Sequence, residues 1–165
     1  MKTAMALLVA IFISGCSSAE KTSETGVINL HFISTSGTNL DTHGQAAPLS
    51  INIYQLNAVD NFQNSDYFTL TEGEDAVLKN DIATVRGFML KPGETRTLVL
   101  KPTPGVIALG VVAAYRDINH ANWQKVFAIK NEDTRPWYKK MLTSEKATGL
   151  SVRFEPLAVS IKEMN

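Results

Sequence analysis

Val106-Ile107-Ala108-Leu109-Gly110-Val111-Val112-Ala113-Ala114-Tyr115 is apolar on both of the faces that a strand would present. Successive strand residues point to opposite sides, so a run with no polar alternation needs cover on both. Pro102-Thr103-Pro104-Gly105 precedes it and Asp117-Ile118-Asn119-His120 follows it, both strong turn sequences. The segment reads as a central strand of a layered β protein.

The runs on either side alternate with a period of two. Val27 to Ser34 sets Ile28, Leu30 and Phe32 against Asn29 and His31, and Leu49 to Leu56 sets Leu49, Ile51 and Ile53 against Ser50 and Asn52. Each is a half-buried strand. Ile82 to Leu90 is a further extended run, stopped by Lys91-Pro92-Gly93-Glu94. There Pro presets φ and Gly accepts a positive φ. Thr95 to Leu100 resumes the alternation, so the pair reads as a hairpin. Trp123 to Ile129, Leu150 to Glu155 and Leu157 to Lys162 complete the set. Roughly eight short strands with frequent turns describe an all-β sandwich.

Asp60 to Asn80 breaks this pattern. Asp60-Asn61-Phe62-Gln63 and Thr71-Glu72-Gly73-Glu74 each place a capping residue three positions before Gln or Glu. Such capping boxes predict short helices, inserted between the second and third strands and packed on one end of the sandwich by Phe62, Tyr67, Leu70, Val77 and Leu78. Two connections, Thr35–Ala47 and Asn131–Thr148, are long for a compact β domain, and such loops often carry function.

The only cysteine, Cys16, closes the run Leu7-Leu8-Val9-Ala10-Ile11-Phe12-Ile13-Ser14-Gly15-Cys16, which follows a positive Lys2. A charged start, an apolar stretch and small residues before a cysteine form a bacterial lipoprotein signal peptide. Ile13-Ser14-Gly15-Cys16 is its lipobox. The apolar run falls short of the ~20 residues that span a bilayer. Residues 1–15 are therefore expected to be removed, leaving Cys16 acylated on its sulfur and its new amino group. Several acyl chains, at about 0.8 kcal/mol per buried methylene, anchor stably. Ser17 stands where an Asp would retain the protein at the inner membrane, so the expected address is the outer membrane. Residues 16–26 are small, polar and charged and read as a tether. Residues 27–165 form the single folded domain.

The chain carries 16 basic and 16 acidic residues, so losing Lys2 with the signal leaves 15 against 16, a net charge of minus one. That balance gives no reason to expect nucleic acid as a partner. With Cys16 acylated, the domain has no thiol for a disulfide, a metal site or a nucleophile. His31, His43 and His120 lack the close spacing of a local zinc motif. Asp60, Asn64 and Asp66 could surround calcium but lack an EF-hand's glycine and terminal Glu, and helix capping already accounts for Asp60. No nucleophile elbow or phosphate loop is present, so neither a catalytic residue nor a cofactor or metal site is assigned.

The ordered set of motifs resembles the outer-membrane lipoprotein of the type VI secretion system, the TssJ family, over nearly the whole chain. The likeness rests on the lipobox at Cys16 and on Pro48-Leu49-Ser50-Ile51-Asn52-Ile53-Tyr54-Gln55-Leu56. It continues through Phe62, Tyr67, Leu70, Val77, Leu78 and Asp81, then Leu90-Lys91-Pro92-Gly93-Glu94, Leu109 to Asp117, and Trp123. The resemblance implies a transthyretin-like β-sandwich with added helices and a non-catalytic role in a trans-envelope complex. It implies binding of the periplasmic domain of TssM, the large inner-membrane component, through the loop between the first two strands. In this chain that loop contains Thr38, Asn39, Leu40, Asp41, Thr42 and His43. Leu40 offers an apolar anchor for a partner pocket, or else tucks inward in a merely connecting loop.

Two other readings compete. A carbohydrate- or ligand-binding lipoprotein would use Trp123, Trp137 or Tyr138 as a stacking platform and needs coplanar, exposed rings. The run Arg135-Pro136-Trp137-Tyr138-Lys139-Lys140 also fits a lid over an open sandwich edge, or an accessory contact with membrane or partner. A periplasmic hydrolase would need convergent titratable groups that the strand pattern does not supply.

Overall fold

The structure is a computed structural model and describes residues 26–73, 75–129 and 147–164. Cys16, most of the tether, and the run Arg135–Lys140 with Trp137 and Tyr138 lie outside the described residues. The elements, in order, are β1 (Ile28–Ser34), β2 (Leu49–Leu56), α1 (Asp60–Asn64), α2 (Tyr67–Glu72), α3 (Ala76–Asp81), β3 (Ile82–Leu90), β4 (Thr95–Leu100), β5 (Ala108–Ala113), β6 (Gln124–Ala128), β7 (Thr148–Phe154) and β8 (Val159–Met164). They form two four-stranded sheets, β4-β1-β7-β8 and β3-β2-β5-β6.

Strand β5 sits between β2 and β6 with all six residues buried. Leu109, Val111 and Ala113 face the sandwich interior, where they meet Ile51 and Ile53 of β2 and Leu30, Phe32, Leu150, Val152 and Phe154 from the other sheet. Ala108 and Val112 face outward into a second apolar cluster with Tyr54, Leu56, Phe62, Leu70 and Leu78. The three short helices supply that outer cover. They therefore lie on the outer face of the second sheet rather than capping an end, and Val77 faces solvent at 58% exposure while Phe62, Leu70 and Leu78 are buried.

Gly110 makes the close approach possible. A Cβ at this position would stand 2.5 Å from Cζ of Phe62, well inside contact distance. The Phe62 ring, wholly buried, also lies 5.0 Å from the Tyr54 ring, and Gln124 Nε2 donates to the Phe62 carbonyl at 2.7 Å.

Two local expectations are corrected. Neither Asp60 nor Thr71 caps a helix. Asp66 caps α2, its carboxylate accepting from Phe68 N and Thr69 N, and Asp75 caps α3 by accepting from Leu78 N. The Thr71 hydroxyl instead donates back to the carbonyls of Tyr67 and Phe68 inside α2. Nor do β3 and β4 form a hairpin. β3 pairs with β2 and β4 pairs with β1, so residues 91–94 arch from one sheet to the other. The backbone of that arch is drawn to the end of β1, with Ser34 N donating to Glu94 O and Gly93 N to Thr35 O. Alternation shows which face a strand buries and is silent about its partner.

Enlarging Gly110 tests the contact that joins the helical layer to β5. Gly110→Ala is expected to cost about 1–3 kcal/mol, as overpacking of a filled site does. It should lower the urea midpoint at an unchanged slope. In a Phe62→Leu background the same substitution should cost less, because the two positions share one space.

Candidate functional site

The β1–β2, β3–β4, β5–β6 and β7–β8 connections all emerge at one end of the sandwich, because consecutive strands run in opposite senses between the two ends. The long β1–β2 loop is built as a structured arm. Its base is tied to the end of β7: Thr35 N donates to the Phe154 carbonyl, and Thr38 Oγ1 donates to the same oxygen at 2.8 Å. Thr38 is fully buried.

Asn39 forms the next tie. It is 3% exposed and adopts φ +56, a left-handed conformation that Asn tolerates better than most residues. Its Nδ2 donates to the Pro48 carbonyl at 3.0 Å, closing the neck of the loop on itself. Its Oδ1 accepts from Arg116 N at 2.8 Å, joining the loop to the β5–β6 connection. One buried amide thus fastens both sides of the arm.

The tip is organised by Asp41. Oδ1 accepts from His43 N at 2.9 Å and Gln45 N at 2.8 Å, while Gly44, at φ +76, donates to the Asp41 carbonyl. Oδ2 lies 3.5 Å from Arg116 Nη1. The backbone bond from Gln45, followed by that from His43 and the Arg116 charge, holds the Asp41 carboxyl below its usual range against a smaller opposing effect of burial.

Between these connections runs a groove of about 600 Å³, with Leu40, Asp41 and Thr42 on one wall, Arg116 and Asp117 on the second, and Pro156 and Leu157 on the third. Tyr115 braces it from below, its hydroxyl donating to the Glu155 carbonyl at 3.2 Å. Burial and the nearby Glu155 charge raise the Tyr115 pKa strongly, so the phenol stays neutral and a donor.

The structure therefore divides the loop residues singled out by sequence. Thr38 and Asn39 direct their side chains inward and fix the arm, Leu40 and Asp41 are half-buried along the groove, and Thr42 and His43 face solvent. Arg116, Asp117, Pro156 and Leu157 were missed as members of the same site. The signal for them was strand parity: turns after the second-sheet and first-sheet strands had to emerge beside the first loop.

The other candidates have structural partners. Asp66 is a helix cap, and Asn64 Nδ2 donates to the Asp60 carbonyl. His120 Nδ1 lies 2.7 Å from Asp117 Oδ1, and His31 Nδ1 is 3.3 Å from the Thr97 hydroxyl. Trp123 is half-buried between the two apolar clusters and meets Tyr67 edge-on at 5.5 Å, so its ring is engaged in packing. Among the described residues no cluster of His, Cys, Asp or Glu could hold a metal ion.

The profile of the type VI secretion lipoprotein family (T6SS-SciN; VasD, EvfM, TssJ) matches residues 27–155. The chain belongs to the TssJ lipoprotein family. Its fold is similar to that of the T6SS lipoprotein TssJ1 from Pseudomonas aeruginosa, with a TM-score of 0.74 and 26% identity over 86% of this chain and 98% of that one. It is also similar to Serratia marcescens Lip, a membrane-bound component of the type VI secretion system, with a TM-score of 0.73 and 21% identity over 86% and 99% of the two chains. A chain in the structure of the T6SS protein TssM C-terminal domain from EAEC matches with a TM-score of 0.62 and 18% identity, over 82% of this TssJ-family chain and 99% of that chain. No curated protein matches significantly.

Asn39→Ala should destabilise the loop end by about 1–3 kcal/mol, the cost of orphaning buried polar partners, with added strain at the positive φ. Asn39→Gly should lose the bonds without that strain, so its unfolding midpoint should lie between wild type and Ala. The tip should also respond to acid in one direction. The Asp41 carboxyl is depressed in the folded state, so its contribution is complete above the ordinary value of 3.8 and disappears as pH falls through the lower folded value. The Gln45 amide should keep its hydrogen-bonded signature down to about pH 5 and lose it only near and below the carboxylate range.

Proposed function

We propose that this TssJ-family chain is the outer-membrane anchor of a type VI secretion membrane complex, held by acyl chains on Cys16 and binding the periplasmic domain of TssM through the groove and arm of its loop end. The observation that carries this reading is the placement of the two attachments. The chain from Cys16 enters β1 at Ile28, where β1 lies beside Leu100 and Thr148. The arm leaves from the far end of the same strand, after Ser34. The point where the tether joins the domain and the loop end thus lie at opposite ends of β1, an arrangement that suits a bridge between two membranes.

The chemistry of the loop end supports capture of a protein. Leu40, Pro156 and Leu157 offer apolar surface, and Arg116 and Asp41 offer charges at its edge, the mixture of anchor and polar rim that protein interfaces use. The arm is braced before binding, which lowers the ordering cost. Membrane attachment confines both partners to one thin compartment, so a modest intrinsic affinity suffices. Family membership and the likeness to secretion-system structures favour assembly over catalysis, and the buried ties of Thr38 and Asn39 explain how a polar loop holds a fixed shape.

Cys16→Ser should yield a soluble periplasmic protein and abolish secretion, whereas normal secretion by this variant would contradict the anchoring role. Leu157→Asp should reduce recovery of TssM in pull-downs at least tenfold while changing the unfolding free energy by no more than about 0.5 kcal/mol, as for surface changes. Undiminished recovery would place the interface elsewhere.

A further inference from the structure

The end of the sandwich opposite the groove carries an apolar rim that stays exposed among the described residues. Val27, Val99, Ile107 and Met164 are 37%, 60%, 41% and 41% exposed. Strand register brings three of them together on the outer face of the first sheet. Asn29 stands across from Val99 on one side and from Gly149 on the other, and Gly149 stands across from Met164. Ile28 and Leu30 are buried, so Val27 shares the outward face of Asn29. The Met164 side chain reaches back over Gly149, where a Cβ would meet its Cε at 3.1 Å. Ile107 belongs to the second sheet at the same end, donating to the Leu56 carbonyl and accepting from Ile129 N. Exposed Lys101 adjoins the rim just after β4.

We propose that this rim rests on the lipid surface of the membrane that holds the acyl chains, so that the domain stands on the bilayer with its groove directed away from it. The proposal rests on the acylation of Cys16 in the reading above. Residues 16–26 can extend at most about 36–40 Å, which keeps Val27 within that distance of the lipid. Within so small a volume the rim meets the surface at high effective concentration, and a few apolar side chains suffice for docking that the free domain would not sustain. Valine, isoleucine and methionine enter the headgroup–acyl boundary, and a neighbouring lysine can stay with the headgroups. At the other end, Leu157 lines the groove, so the rim and the groove face different surfaces.

The acylated full-length protein, reconstituted in phosphatidylethanolamine–phosphatidylglycerol vesicles containing nitroxide-labelled lipid, tests this directly. Its native cysteine is occupied by lipid, so Val99→Cys, Ile107→Cys and Leu157→Cys each accept a single environment-sensitive fluorophore. Labels at 99 and 107 should be quenched severalfold more strongly than the label at 157. Equal quenching at all three sites, or shielding at 99 and 107 only after other secretion proteins are added, overturns the lipid-facing rim. Intact mass of the same sample separates the two readings. Acylated protein without differential quenching overturns the rim alone, and unacylated protein that fails to bind vesicles overturns the anchor and the rim together.

Discussion

A single strand that is apolar on both faces sets the demands that the rest of the molecule meets. Leu109, Val111 and Ala113 need one cover and Ala108 and Val112 need another. The first is the opposing sheet. The second is the group of three short helices, none long enough to be stable alone, which persist because Phe62, Leu70 and Leu78 bury themselves on this strand and its neighbour. Gly110 is the point at which the two layers come closest, and the ring of Phe62 occupies the space a side chain would have taken. A position that seems a weakness in an otherwise β-branched run is thus what lets the outer layer seat.

The loop end follows the same logic with polar groups. Its long arm has little apolar surface to bury, so its shape comes from a few internal hydrogen bonds at the base. Thr38 binds the end of β7, and Asn39 binds both Pro48 and Arg116. Those side chains are unavailable to a partner because they fix the neighbours that are available. The residues of greatest consequence for the surface are therefore partly ones that never appear on it.

The sequence was most legible where hydrophobic alternation met turn chemistry. The bounds of β2, β3 and β4 agree with the runs that alternation and the Lys91–Glu94 turn delimit. Pairing was less legible, because Leu90 and Leu100 both need burial and either sheet could provide it. The helix starts were misread for a related reason. Asp60 and Thr71 have Gln63 and Glu74 three residues on, the capping-box spacing that Asp66 and Asp75 lack, yet the packing of Leu70 and Leu78 decides which donors are left for a carboxylate. At the site, the loop was visible from its length, but the inward turn of Asn39 depends on a φ of +56 and on a backbone NH at Arg116, neither of which spacing encodes. Strand β8 begins later than alternation suggested, at Val159, which leaves Leu157 free for the groove.

Strand β1 lies inside its sheet, antiparallel to β4 and parallel to β7. It is among the first folded segments of the chain, yet half of its hydrogen-bonding potential waits for residues 148–154. Contacts so distant in sequence slow folding, because the closure of a long loop precedes their reward. As the chain is delivered from its N-terminus, the leading strand therefore keeps one edge open until nearly the whole polypeptide has followed. An alternating apolar segment in that condition is a natural target for holding chaperones, and the time spent waiting is set by the rate of delivery as much as by the chain itself.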